Sequence, residues 1–170
     1  GCPIIPILDG MGREGQGRLA LVTGASAGIG LAFAEHLAGH GYDLVLAARR
    51  ADRLEALATR LGREHGVRVH VRVVDLAERG APARLVDDLE AHALRVDVLV
   101  NNAGYGVPGR FGHPTWETHD RFLQVMVTAV CELTYRLLPP MHARGWGRII
   151  NVASLAGHLP APAGHTLYAA

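Results

Sequence analysis

Three short apolar runs, each closing on small or polar residues, constrain this chain more than anything else in it. They are LALVT (19–23), DLVLAA (43–48) and VDVLV (96–100), and RIINVAS (148–154) reads as a further strand. The three runs are close to continuously apolar, so both faces of each strand must be covered. The stretches between them carry a helical period. Ile29, Phe33 and Leu37 share one face before Gly39 and Gly41. Leu54, Leu57, Ala58 and Leu61 repeat at i, i+3, i+4 and i+7. Pro82 opens a helix with Leu85 and Leu89 inward. Thr115 is placed to cap a long helix whose stripe is Phe122, Met126, Ala129, Leu133 and Leu137, and Pro139–Pro140 should bend or end it.

VRVHVRVV (67–74) behaves differently. Its valines alternate with Arg68, His70 and Arg72, which suits a strand at a sheet edge with one thinly covered face. Strand–helix alternation with apolar strands means a parallel sheet clothed by helices on both sides. With the third strand at the edge, the expected fold is α/β: a doubly wound, Rossmann-like parallel sheet in the order 3-2-1-4-5. Ligands of such sheets bind beyond the carboxyl ends of the strands.

Composition mainly excludes. A length of 170 residues is enough for one domain with its own core. A net charge of +1 gives no reason to expect nucleic acid or an anionic membrane as partner. No apolar run approaches the roughly 20 residues that span a bilayer. Cys2 and Cys131 make no disulfide framework, so a reducing cytoplasm is expected. The histidines are scattered without a carboxylate cluster, and no metal site is expected. Residues 1–17 have neither a signal-peptide core nor a periodic pattern and read as a tail, with Met11 as the natural beginning.

The chemistry should therefore lie at the strand ends. The first strand runs into TGASAGIG (23–30). Gly24, Gly28 and Gly30 permit a tight turn and let the next helix start close to a bound diphosphate, with Ser26, Ala27 and Ile29 in the same turn. The second strand ends in Ala48-Arg49-Arg50. No acid is present to accept bonds from a ribose 2′-hydroxyl, whereas Arg49, with Arg50 beside it, can fork onto a 2′-phosphate, which favours NADP as cofactor. The third strand ends at Asp75–Leu76, where a carboxylate can take the adenine amino group or serve instead as a helix N-cap. The fourth ends in NNAG (101–104): Asn101 and Asn102 can tie strand ends together, and Ala103 and Gly104 allow close backbone approach. The fifth ends at Ser154, fourteen residues before Tyr168.

TGASAGIG, NNAG, the serine and YAA together resemble the short-chain dehydrogenase/reductase family, in its simple branch with a single Rossmann-like domain. The resemblance runs over residues 18–170 in register. It implies hydride transfer between nicotinamide and a carbonyl or alcohol carbon of a small molecule, with Tyr168 exchanging the proton and Ser154 orienting the substrate oxygen. A homo-oligomer pairing through the long helix is also implied.

The sequence departs from the family pattern in four places. Relatives carry a lysine four residues after the tyrosine; here the chain stops at Ala170, and all 17 basic residues are arginine. HTLYAA therefore reads as a cut, and the domain as lacking its C-terminal part. Met126 falls where an active-site asparagine usually stands, and Ala129 replaces a common glycine. The interval from Ser154 to Tyr168 is one residue longer than usual. The leading expectation is an NADP(H)-dependent oxidoreductase; the competing one is a non-catalytic nucleotide-binding fragment or pseudoenzyme. A sugar-nucleotide epimerase fits less well, since those lack NNAG.

Overall fold

A computed structural model describes residues 14–158 and Leu167. In chain order its elements are β1 Leu19–Thr23, α1 Gly28–Gly39, β2 Asp43–Ala48, α2 Ala51–His65, β3 Val69–Val73, α3 Ala81–Ala91 and β4 Val98–Asn101. They continue with α4 Trp116–Leu123, a π-turn at Gln124–Thr128, α5 Ala129–Ala143, β5 Arg148–Asn151 and a 3-10 turn at Leu155–His158. The five strands form one parallel sheet in the order β3-β2-β1-β4-β5, as the apolar runs and the alternating third strand predict. Residues 14–17 form a turn in which the Gly15 N–H donates to His40 O at 3.1 Å.

The strand period divides the core in two. Leu19 and Leu21 of β1, Val45 and Ala47 of β2 and Leu99 of β4 face α3 and α5, where they meet Leu85, Leu89, Leu133 and Leu137. Ala20, Val22, Leu44, Leu46, Val98 and Val100 face α1 and α2, where they meet Ala34, Leu37, Leu54 and Leu61. Since both sides are dry, β1 is buried at every position. Val69 and Val71 join the α1/α2 side, which leaves Arg72 toward α3, ion-paired with Asp88.

Four local expectations need correction. The inward face of α1 is Gly30, Ala34, Leu37 and Ala38, whereas Ile29 is 59% exposed and Phe33 only half-buried. Small residues win because the helix starts almost in contact with the sheet: a Cβ on Gly30 would lie 2.4 Å from both the Gly24 carbonyl oxygen and Asn102 Nδ2. Second, Pro139 and Pro140 do not end their helix; α5 runs through both to Ala143. The stripe Leu133, Leu137, Met141 stays buried across them, while both prolines lie on the exposed face, where water can satisfy the carbonyls that lose their N–H partners. Third, the long helix is not uniform. Thr115 does cap it, Oγ1 accepting the Thr118 N–H at 3.3 Å, but the π-turn at 124–128 interrupts it. Strands β4 and β5 are also displaced or shorter than their apolar runs, so Ser154 lies three residues past the end of β5.

Candidate functional site

The carboxyl ends of β1 and β4 are joined by a compact polar knot. Thr23 Oγ1 donates to Val100 O at 3.1 Å and accepts the backbone N–H groups of Asn102 at 2.9 Å and Ala103 at 3.0 Å. Asn102 Nδ2 donates to the Thr23 carbonyl at 3.0 Å. One strand over, Asn101 Nδ2 donates to Asn151 Oδ1 at 2.9 Å, linking β4 to β5. The two asparagines thus do what their position suggests, and Thr23 is the hub that the glycine motif alone did not disclose.

The glycine turn stands over this knot. A Cβ on Gly24 would come within 2.9 Å of the Ala103 Cα, so the NNAG backbone can lie against the turn only because no side chain intervenes. Gly28 serves differently: it has φ +58, and a Cβ there would meet nothing within 4 Å, so its backbone opens on free space. Ala27, the N-cap of α1, offers no side-chain hydrogen bond, and the first turn contains no acidic residue. That N-terminus keeps its positive dipole end and unspent N–H groups for an anion. Ile29 exposes its side chain at the same place.

The two arginines after β2 behave differently from each other. Arg50 is held over the glycine turn, donating from Nε at 3.2 Å and Nη2 at 2.9 Å to Ser26 Oγ. Arg49 is exposed and lines a cleft of about 600 Å³ with Val73, Val74, Asp75 and the charged side of α3. In that cleft Arg72 pairs with Asp88 and Arg84 with Glu78. Asp75 accepts the Ala77 N–H at 3.0 Å on Oδ1 and the Arg121 guanidinium at 2.7 Å on Oδ2. Leu76 is buried beside it. Tyr105, directly after the NNAG loop, stands edge-on to Phe122 at 5.7 Å. Burial pushes its phenol up from the ordinary 10.0, against the pull of Arg121 and Arg49.

Met126 stood out by its place in the family pattern, whereas His119 was not legible in the sequence. Met126 sits on the π-turn with its thioether over Gly104; a Cβ on Gly104 would lie 2.9 Å from Met126 Sδ. His119 is buried, stacks on Phe111 at 4.8 Å and contacts Phe111 O through Nε2 at 2.9 Å, while its Nδ1 has no partner among the described residues. Facing a carbonyl, Nε2 must carry the proton. His119 thereby ties the 105–116 loop to α4, and the spacing to Phe111 gave no signal of it. His36 and His40, at i, i+4 on α1, bring their rings to 4.3 Å, but no third ligand joins them, and no metal-holding group of three appears among the described residues.

Ser154 is exposed, and its Oγ accepts the Ala156 N–H at 3.2 Å, which leaves the O–H free to donate elsewhere. Tyr168 lies outside the described residues, so its distance to Ser154 is not defined. No helix among the described residues is long and apolar enough to cross a membrane.

A doubly wound sheet with a glycine turn, an uncapped helix start and a basic pair at the end of β2 is the architecture of a Rossmann-like domain with its ligand crevice beyond the strand ends. The comparisons agree: residues 18–170 match the short chain dehydrogenase family, and the chain belongs to it. It is 42% identical over 157 residues to nodulation protein G of Rhizobium sp. (strain N33), covering 92% of this chain and 62% of that one. L-Sorbose reductase from Gluconobacter frateurii, solved with NADPH and L-sorbose, superposes with a TM-score of 0.85 at 35% identity, over 94% of this chain and 60% of that one. A short-chain dehydrogenase from Sphingobium yanoikuyae in complex with NADPH gives 0.83 at 38%, over 89% and 59%. The chain thus spans about three fifths of these relatives.

Proposed function

We propose that residues 18–170 form the cofactor-binding domain of an NADP(H)-dependent oxidoreductase that interconverts a small carbonyl compound and its alcohol. The observation that carries this reading is the end of β2, where Ala48 stands in place of an acid and Arg49 reaches the cleft without an ion-pair partner among the described residues. The residues present fit the cofactor. Gly24 and Gly30 let the turn, the NNAG loop and α1 close on one another, Gly28 opens its backbone on free space, and the uncapped N-terminus of α1 would face the diphosphate. Arg49 would hold the 2′-phosphate, with Arg50, itself bonded to Ser26 Oγ, adding positive charge beside it. Asp75 and Leu76 would hold the adenine, and Asn102, Ala103 and Gly104 would allow the ribose and nicotinamide to approach the backbone.

The nicotinamide, when bound, supplies or accepts the hydride. Ser154 donates its O–H to the substrate oxygen, and Tyr168 delivers or removes the proton there. A phenol with a pKa near 10 needs nearby positive charge to do this at neutral pH. The L-sorbose and NADPH of the Gluconobacter relative support a small carbonyl substrate and the phosphorylated cofactor. Val127, Tyr135 and Leu138 expose an apolar stripe along the outer face of the long helix, which supports pairing with a second copy.

The deciding experiment compares NADPH and NADH binding to wild type and Arg49→Ala. The substitution should weaken NADPH far more than NADH, because only the former has a 2′-phosphate to lose. Equal losses would make Arg49 a surface charge and remove the cofactor assignment. Met126, packed on Gly104 at the position where the family resemblance puts an asparagine, favours a second reading, a domain that binds cofactor without turnover. Carbonyl reduction abolished by Tyr168→Phe excludes that alternative.

A further inference from the structure

We infer that Arg121 is a positioning residue for adenine recognition, acting through Asp75; this rests on the NADP reading above. Asp75 has both carboxylate oxygens anchored, Oδ1 by the Ala77 N–H at 3.0 Å and Oδ2 by Arg121 Nη2 at 2.7 Å. One anchor alone would let the group rotate. Two anchors on different oxygens set both side-chain torsions and leave each oxygen a lone pair for a further donor. The carboxylate also lines the cleft that Arg49 enters, at the end of the sheet where the exocyclic amino group of adenine would lie.

A neighbouring contact shows how the register is held. Arg79 Nη2 meets Asp120 Oδ1 at 2.8 Å and Oδ2 at 2.9 Å, so adjacent residues of α4 grip the β3–α3 loop with opposite polarity. A slip that exchanged the partners would set Asp75 against Asp120 and Arg79 against Arg121, which like-charge repulsion forbids. Arg79–Asp120 is the more exposed pair and Arg121–Asp75 the more buried. The first therefore serves to align the loop, while the second also fixes the acceptor.

The test uses a cofactor altered at the six-membered edge of its purine, where the amino group becomes a carbonyl and N1 gains a proton. Reduced nicotinamide hypoxanthine dinucleotide phosphate has a carbonyl oxygen in place of the adenine amino group, so an oriented Asp75 would face an acceptor. Dissociation constants for it and for NADPH are measured by calorimetry on wild type, Arg121→Ala, Arg121→Gln and Arg79→Ala. Wild type should prefer NADPH by about tenfold or more, the worth of one hydrogen bond to a charged group. Both Arg121 variants should lose most of that preference, and Arg79→Ala should keep it. Arg121→Gln retains much of the side-chain bulk and carries the comparison should Arg121→Ala not fold. A preference retained in the Arg121 variants, an equal loss for both cofactors, or no preference in wild type overturns the inference while leaving NADP binding intact. Wild type that binds neither cofactor overturns the NADP reading and this inference together.

Discussion

Thr23 and Asn102 hold each other by two reciprocal bonds: the Asn102 backbone N–H reaches Thr23 Oγ1 at 2.9 Å, and Asn102 Nδ2 returns to the Thr23 carbonyl at 3.0 Å. The glycine turn and the NNAG loop are thereby one rigid unit, although the residues are 79 positions apart. Thr23→Val keeps the shape and deletes the hydroxyl, leaving the N–H groups of Asn102 and Ala103 without an acceptor. Urea denaturation should show a loss of about 2–4 kcal/mol, and Thr23→Ser should recover most of it.

Two glycines of the site should respond differently to alanine. At Gly30 the new methyl meets the Gly24 carbonyl, which is backbone and cannot yield, so Gly30→Ala should cost about 3 kcal/mol or prevent folding. At Gly104 it meets the Met126 thioether, the far end of a flexible side chain. Gly104→Ala should therefore cost about 1 kcal/mol or less, and Met126→Ala should relieve it. Thermal midpoints of the three variants decide between these outcomes.

Pro139 and Pro140 lie inside α5 on its exposed face, each withholding a backbone hydrogen bond from the turn before it. Pro139→Ala and Pro140→Ala should each raise the unfolding free energy by about 1 kcal/mol or more, and the denaturation midpoint with it, since helix-interior proline costs about 3 kcal/mol. Unchanged midpoints would mean the helix gains from the prolines elsewhere, through a stiffer unfolded chain.

His70 on β3 has its pKa held below the ordinary 6.5, first by burial and then by Arg72 and Arg68. As pH falls, the unfolded chain takes up this proton before the folded one does. The stability from the neutral ring is complete above 6.5 and drains away as pH falls through the window below it. His70→Asn should therefore flatten the difference in urea midpoint between about pH 7.5 and about pH 5. An undiminished pH dependence would place its source in other groups.

The parts read from sequence were those set by neighbours along the chain. Apolar runs without alternation gave buried parallel strands, and VRVHVRVV gave the edge strand of the order 3-2-1-4-5. Leu54, Leu57 and Leu61 mark the buried face of α2, and Thr115 caps the long helix. The glycine turn, the basic pair, Asp75 and NNAG were legible for the same reason: each is a short stretch at a strand end, and the sheet brings strand ends together.

Only the tertiary structure decided which side of α1 faces inward, because the close approach to the sheet favours Gly30 and Ala34 over the bulkier Ile29. It alone carried α5 through two prolines, opened a π-turn beneath Met126 and paired Asp75 with Arg121 across 46 positions. Periodicity and propensity report the free energy of a segment against water, and they serve while the core is uniform. Close packing and charge pairing depend on atoms that meet only after the chain has folded, so no window of sequence contains them.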